Sequence, residues 1–255
     1  MGKKLIVANW KMHFTVGEAS LFLNKLQEKV PNQRSIEVVL CPNVLTLQSL
    51  SLQVDRRKFK LGAQNIYFHD EGAFTGEISA SMLRGIASYV LVGHSERRHI
   101  FGETDKMVAH KMQAVLRSSI KPILCVGETK QERVDGETAH VLHAQVTAGL
   151  ANITSQEIQD VAIAYEPVWA IGTGDFAKPD DAMQAVRLIR KHVEAMFGKK
   201  AAEETPILYG GSVDADNAGA YLAAQGIDGL LIGGTSLKAN AFATIVAKAN
   251  ELQTV

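Results

Sequence analysis

The sequence predicts an α/β fold: one (β/α)8 barrel domain over residues 1–255, with eight parallel strands alternating with helices. Three observations favour it. Eight short β-branched runs recur, several of them apolar almost throughout, as in strands buried on both faces. Stretches of helical periodicity separate these runs. No linker rich in Pro, Ser or Gly divides the 255 residues.

The predicted strands are short runs of similar length, taken in chain order. They are 5–9, 36–41, 59–64, 89–93, 121–127, 161–165, 206–211 and 228–233. The clearest helical stretches are 16–30, 105–120 and 180–197. Ser79, Thr104 and Pro179 are residue types that begin helices, so each predicts a helix start.

The same alternation also fits an open, doubly wound sheet. An open sheet has two edge strands, which proteins usually protect with Pro or inward-pointing charge. Neither the first nor the last predicted strand carries such residues. The sequence therefore favours the closed barrel.

Composition excludes several classes of protein. The 27 basic and 27 acidic residues cancel, which disfavours a general nucleic-acid binder. The 46% of hydrophobic residues can form a substantial core, so a disordered chain is excluded. The apolar run near the N-terminus is too short for a signal peptide or a membrane span. Two cysteines are too few for a disulfide framework and indicate a reducing compartment, so a cytoplasmic location is expected.

Polar residues and glycines follow the predicted strands at the ends where barrel enzymes hold their active sites. They are Asn9 and Lys11 after the first run, His94 after the fourth, Glu166 after the sixth, Ser212 after the seventh and Gly233–Gly234 after the eighth. Because parallel strands end at one mouth, we expect an amine, an imidazole, a carboxylate and glycine-rich backbone to converge there.

Long motifs in these positions resemble the triosephosphate isomerase family over the whole chain. The motifs are NWKM (9–12), GAQNIYFHDEGAFTGE (62–77), GHSERR (93–98), YEPVWAIGTG (165–174), YGGSV (209–213) and GG (233–234). The resemblance implies a TIM barrel and an intramolecular aldose–ketose isomerase that needs no cofactor. It also implies that dihydroxyacetone phosphate and D-glyceraldehyde 3-phosphate interconvert through an enediolate, a step of glycolysis and gluconeogenesis.

Proton transfer between adjacent carbons needs one base that reaches both carbons, and the two oxygens of Glu166 suit this task. Exclusion of water should raise the pKa of that carboxyl. His94 precedes a predicted short helix beginning near Ser95, and a helix N-terminus disfavours an imidazolium. The resemblance implies a glutamate base and a neutral histidine that donates a hydrogen bond, a pairing for which this family is the standard example.

Lys11 is the predicted electrostatic partner of the enediolate and of the phosphate dianion. Asn9 can donate a hydrogen bond to the same substrate oxygen. Glu96 is suited to pair with Lys11. Backbone N–H groups near Gly172, Ser212, Gly233 and Gly234 are predicted to bind phosphate. Residues 167–177 have the apolar middle expected of a lid.

No metal site is predicted, because His140 and His143 have no third ligand in the pattern. The loop 64–77 is long and apolar enough to need a partner surface. The resemblance implies a homodimer in which this loop enters a second subunit and Thr75 approaches the partner's Asn9, the partner's Lys11 and the partner's His94.

Two other functions remain open from the residues. One is a Schiff-base aldolase acting on a sugar phosphate through Lys11. The other is a barrel that binds phosphate without catalysis. A Glu166 that follows a strand directly, with a lid-like segment behind it, favours the isomerase.

Overall fold

A computed structural model describes residues 3–32, 34–171 and 176–254. Its eight strands are β1 (Lys4–Asn9), β2 (Ile36–Cys41), β3 (Lys60–Ala63), β4 (Tyr89–Val92), β5 (Lys121–Val126), β6 (Ala162–Tyr165), β7 (Ile207–Tyr209) and β8 (Gly229–Ile232). Each strand pairs in parallel with the next, and β8 pairs with β1. The closed barrel predicted from the sequence is confirmed, and the open sheet is excluded.

Closure of the barrel depends on a close approach between β8 and β1. Gly229 pairs with Leu5, and a Cβ atom at Gly229 would lie 1.9 Å from the Leu5 carbonyl oxygen. No side chain fits at that distance. Glycine at this position therefore lets the first and last strands reach hydrogen-bonding distance.

Ten helices surround the strands in the described residues. They are α1 (Val16–Lys29), α2 (Val44–Ser51), α3 (Ser95–His99), α4 (Asp105–Arg117), α5 (Lys130–Val134), α6 (Thr138–Gly149), α7 (Pro179–Phe197), α8 (Lys199–Glu204), α9 (Ala218–Ala223) and α10 (Ala239–Thr254). None of the helices in the described part of the chain is long and apolar enough to cross a membrane.

Two of the three predicted helix starts are confirmed. The Thr104 side chain accepts a hydrogen bond from the Met107 N–H and caps α4, and Pro179 is the first residue of α7. The prediction at Ser79 was wrong, because only a three-residue 3₁₀ turn, Ser81–Leu83, follows it. Gly85, at φ +78°, turns the chain towards β4 before a longer helix can form.

The strands are buried on both faces, as their nearly continuous apolar runs predicted. Along β1, Leu5 and Val7 belong to a core cluster inside the barrel, whereas Ile6 and Ala8 belong to a second cluster beneath the helices. This alternation fixes which side chains point inward. It leaves the carboxyl ends of the strands as the polar mouth of the barrel.

Candidate active site

One pocket at this mouth collects the described site residues that the sequence predicted. It has a volume of about 360 Å³ and is lined by Asn9, Lys11, His13, His94, Glu166, Ile171, Gly210, Gly211, Ser212, Val213, Leu231, Gly233, Gly234 and Thr235. The remaining predicted residue, Gly172, lies outside the described residues. The pocket therefore combines one carboxylate, two imidazoles, one amine and the glycine-rich ends of β7 and β8.

Glu166 follows β6 directly and is buried. Its backbone N–H donates to the Val126 carbonyl at 2.7 Å, and its Oε2 accepts the Ser95 N–H at 2.9 Å. A Cβ atom at Gly127 would lie 1.7 Å from the Glu166 carbonyl oxygen. Sequence reasoning missed Gly127, whose lack of a side chain lets the ends of β5 and β6 meet and places the carboxylate.

His94 is the N-cap of α3, as the sequence predicted. Its Nδ1 accepts the Glu96 N–H at 3.3 Å, so the proton of a neutral ring lies on Nε2. Nε2 is 3.0 Å from Glu166 Oε1. The first turn of the helix thus fixes the tautomer that presents an N–H donor towards the carboxylate and the pocket.

Contact between the two groups sets the direction of their pKa shifts. Burial lowers the pKa of His94, but attraction to Glu166 and the hydrogen bond between them outweigh it, so the pKa of His94 is raised. Burial likewise raises the pKa of Glu166, but the contact with His94 and the Ser95 N–H outweigh it, so the pKa of Glu166 is lowered. Both directions are opposite to those expected from burial and the helix terminus alone, because a 3.0 Å contact acts more strongly than either.

Lys11 has left-handed backbone geometry, with φ +52°. That conformation is costly for a residue with a side chain and persists because the surroundings hold it. The Gln64 amide donates to the Lys11 carbonyl at 2.8 Å. Lys11 Nζ lies 2.6 Å from Glu96 Oε1, which confirms the predicted pairing and restrains the ammonium group beside the pocket.

Asn9 is buried at the end of β1, and its amide orientation is fixed. The Lys11 backbone N–H donates to Asn9 Oδ1 at 3.0 Å, so the amide nitrogen must face the other way. That nitrogen lies 3.2 Å from His94 Nε2. Asn9 therefore presents N–H donors beside the imidazole.

Backbone atoms form the other side of the pocket. The Ser236 hydroxyl donates to the Gly233 carbonyl and the Thr235 hydroxyl donates to the Val213 carbonyl, each at 2.6 Å. The Thr235 bond ties the loop that follows β7, which holds Ser212, to the 3₁₀ turn Gly234–Leu237 after β8, and the Ser236 bond closes that turn on Gly233. The first N–H groups of such a turn have no acceptor within it and are free to bind an anion.

Glu128 is a further residue that sequence reasoning missed. It is fully buried, and its Oε1 accepts the Tyr165 hydroxyl at 3.0 Å and the Trp169 indole N–H at 2.9 Å. Arg133 stacks over the Trp169 ring at 4.4 Å. The start of segment 167–177 is thus anchored to the barrel. An acidic residue two positions after the apolar run of β5 was the available signal.

Comparison with known proteins shows the family of the chain. A sequence model of the family described as "Triosephosphate isomerase" matches residues 4–249. The chain belongs to the triosephosphate isomerase family.

Curated relatives that carry the name triosephosphate isomerase match almost end to end. One from Carboxydothermus hydrogenoformans is 44% identical over 96% of this chain and 98% of its own length. One from Endomicrobium trichonymphae is 45% identical over 96% and 98%, and one from Dictyoglomus turgidum is 41% identical over 96% and 99%. The similarity to triosephosphate isomerases therefore covers the barrel and its mouth together.

Within the described residues, no group of three or more His, Cys, Asp or Glu side chains is arranged to hold a metal ion. The polar groups of the pocket are instead paired with one another and with backbone N–H groups. The chemistry that this arrangement can perform is proton transfer and electrostatic stabilisation of an anion.

Proposed function

We propose that this chain interconverts dihydroxyacetone phosphate and D-glyceraldehyde 3-phosphate through an enediolate. One observation carries the proposal: Glu166, His94 and Lys11 converge on a single pocket that is also lined by glycine-rich backbone. A triose phosphate needs the same two halves, a proton-transfer site for its carbons and an anion site for its phosphate.

Glu166 is the proposed base. The contact with His94 and the Ser95 N–H lower the pKa of its carboxyl, so the group is present as the carboxylate, which is the form that accepts a proton. The carboxylate removes the proton from one substrate carbon and returns it to the neighbouring carbon, and its two oxygens reach both positions. The Ser95 N–H, 2.9 Å from Oε2, holds the group in place, and Oε1 contacts His94 Nε2.

His94 and Lys11 are the proposed electrophiles, and Asn9 assists them. The negative charge that develops on the substrate oxygens meets the Nε2–H of His94 and the ammonium group of Lys11. The Glu96 N–H on Nδ1 keeps the donor tautomer of His94 through both proton transfers. Asn9 adds a neutral donor 3.2 Å from that nitrogen.

The phosphate group is proposed to bind the backbone near Ser212, Gly233 and Gly234, with Lys11 on its substrate side. A Cβ atom at Gly233 would lie 3.2 Å from Lys11 Cε, so the lysine side chain runs along this backbone. Lys11 can therefore contact both the phosphate and the reacting oxygens. Gly172, which lies outside the described residues, remains a proposed member of the same anion site.

The test is a coupled assay of triose phosphate interconversion in both directions. The Lys11–Glu96 contact of 2.6 Å argues against a Schiff-base aldolase, because an ion-paired ammonium group is not a nucleophile. We expect isomerase turnover and no borohydride trapping of substrate on Lys11. Trapping without isomerisation would favour the aldolase, and binding without turnover would favour a phosphate-binding barrel.

A homodimer through loop 64–77 is proposed as the working assembly. Met12 and Phe101 are exposed and line a recess with Asn9, Lys11 and His94, and Phe74 and Met82 are exposed and line a second recess formed by the loop. Exposed apolar side chains beside the mouth and on the loop favour a protein partner. By the family resemblance, the loop of one subunit would bring Thr75 to the other subunit's mouth.

Phe74→Asp tests the dimer. Phe74 is 37% exposed in one subunit and packs on Tyr67 and His69. The proposed dimer would bury this side chain, so an aspartate there would place an unpaired carboxylate in the interface and separate the subunits. Leu252→Asp, at a residue 44% exposed on α10, is the matched control. Sedimentation and turnover are measured on the same samples across dilution. A fully active Phe74→Asp monomer would separate assembly from catalysis.

A cytoplasmic location is also proposed. Cys41 and Cys125 are free, fully buried thiols, and burial raises the pKa of each. A reducing compartment suits such thiols. Fractionation of the source cells tests the location.

A further inference from the structure

A second concave site lies at the opposite end of the barrel, where β2 and β3 begin. It has a volume of about 170 Å³. Five of its nine lining residues are cationic: Lys3, Arg56, Arg57, Lys58 and Lys60. The remaining lining residues are Ile36, Glu37, Val38 and Phe59. We call this site the basic pocket.

The positive charge of the basic pocket is only partly compensated by nearby acids. The Glu37 carboxylate accepts a short hydrogen bond from the Tyr89 hydroxyl. Arg57 forms a two-pronged pair with Asp55, at 3.0 and 3.1 Å. Five cations and these two acids leave a surplus of three positive charges, although the whole chain is formally neutral. An anion would relieve the mutual repulsion of cations held within a Debye length.

Several of these cations are fixed in place by the fold. Phe59 is buried, and its N–H donates to the Asp55 carbonyl at 3.0 Å, which closes a tight turn. Lys58 Nζ donates to the Gln27 carbonyl at 2.5 Å, and Arg56 donates to the Gly85 carbonyl at 3.1 Å. Both side chains keep further N–H donors after these bonds. The pocket therefore holds positive charge without having to order a flexible loop.

We propose that the basic pocket binds a pyrophosphate group, either as the free anion or as part of a nucleotide. The negative charge of two linked phosphoryl groups is similar in size to the positive surplus of the pocket. Their oxygens can accept hydrogen bonds from the N–H donors of the pocket. A concave site of about 170 Å³ suits a small anion better than the flat contact that a macromolecule makes. Because it lies at the amino ends of the strands, this site is separate from the catalytic pocket at the carboxyl ends.

The experiment is calorimetric titration with inorganic pyrophosphate, with Lys11→Ala as the background in order to weaken anion binding at the catalytic pocket. The test variant adds Lys3→Gln and Lys60→Gln, which remove two charges from the basic pocket. The control adds Lys199→Gln and Lys200→Gln on α8, where the side chains are 79% and 82% exposed. Both variants lose the same net charge, so long-range electrostatics change equally.

We expect one equivalent of pyrophosphate to bind in the background protein. The dissociation constant should rise by about tenfold or more in the Lys3/Lys60 variant and stay unchanged in the control. Absence of binding, or equal weakening in both variants, would overturn the proposal. Parallel titrations with ADP and orthophosphate distinguish the sources of the group, since a nucleotide site binds ADP more tightly than free pyrophosphate. Stronger binding of orthophosphate than of either would refute a pyrophosphate site.

Discussion

The two sides of the catalytic pocket differ in composition, since one is formed by side chains and the other by backbone. The proposed proton-transfer side consists of ionisable side chains that follow three strands, and Glu166 and His94 are in direct contact at 3.0 Å. The proposed phosphate side consists of backbone at Ser212, Gly233 and Gly234, held by hydroxyl-to-carbonyl hydrogen bonds. Chemistry on the first side depends on which groups are present, whereas binding on the second depends on how closely backbone can approach.

Lys11 lies beside both of these sides and has a left-handed backbone. Its ammonium group is paired with Glu96 at 2.6 Å, while its side chain passes close to Gly233. Substitutions on the two sides should therefore differ in kind. Loss of a charged side chain should lower turnover directly, whereas crowding at a glycine should act through the position of Lys11.

Lys11→Ala should have the largest effect of the substitutions that compare the two sides. The variant removes a charge that serves the transition state and the phosphate together, so kcat should fall by roughly 100- to 1000-fold and KM should rise. Steady-state kinetics measure both parameters, with Lys199→Ala as an exposed control. Unchanged KM would remove Lys11 from the phosphate side.

Glu166→Asp should lower kcat by about 100-fold with little change in KM, because a retreat of roughly 1 Å misplaces the base without removing it. The phosphate side is untouched by this change. Steady-state kinetics and thermal melting on one preparation give activity and folding together. A KM that rose by the same factor as kcat fell would mean that the two sides of the pocket do not act separately.

Gly233→Ala should have a smaller effect, because its Cβ would lie 3.2 Å from Lys11 Cε and the lysine can shift by a few tenths of an ångström. We expect kcat/KM to fall several-fold, about tenfold at most. Gly219→Ala is the matched control, since a Cβ there meets nothing within 4 Å. If Gly233→Ala in a Lys11→Ala background caused the same further loss, the effect would not pass through Lys11.

The smallest expected effect concerns stability and pH. The raised pKa of His94 stabilises the fold fully below its ordinary value of 6.5, and that contribution is lost as pH rises through the folded-state pKa. The lowered pKa of Glu166 stabilises the fold fully above its ordinary value of 4.5, and that contribution is lost as pH falls through the folded-state pKa. The contact should therefore contribute most between pH 4.5 and 6.5.

Melting temperatures of the parent and His94→Gln across pH test this window. The difference between them should be largest near pH 5.5, which is about midway between the two ordinary values, and narrow towards alkaline pH. His140→Gln, at an exposed histidine on α6, is the control for loss of an imidazole. A difference that grows with pH would mean that the contact does not stabilise the charged pair.

The barrel could be predicted from the sequence because nearly continuous apolar runs indicate strands buried on both faces, as the two core clusters of β1 show. The sequence also predicted the placement of His94 at a helix start and the Lys11–Glu96 pair, since each depends on local pattern or motif. The pKa directions of His94 and Glu166 were not predictable, because 72 positions separate the two residues in the chain and only the folded barrel brings them to 3.0 Å.

The close approach of Gly127 to Glu166 was missed for the same reason. Nothing local to a glycine after β5 indicates that the Glu166 carbonyl will lie where its side chain would be. The residues proposed to bind phosphate are visible in the local sequence, but their pattern is not specific. Glycine pairs are common in turns, so only the family motifs singled out Gly233 and Gly234, and their role remains a prediction.

The central claim is that Glu166 carries the transferred proton. Exchange of that substrate proton with solvent tests the claim most directly. The parent and Glu166→Gln are each incubated with dihydroxyacetone phosphate in D₂O, and deuterium at the substrate carbon is followed by NMR. A carboxylate that holds the proton exchanges it with solvent, whereas an amide cannot act as a base. The account predicts deuterium incorporation by the parent and none above background by a folded Glu166→Gln. Equal incorporation by both proteins would contradict it.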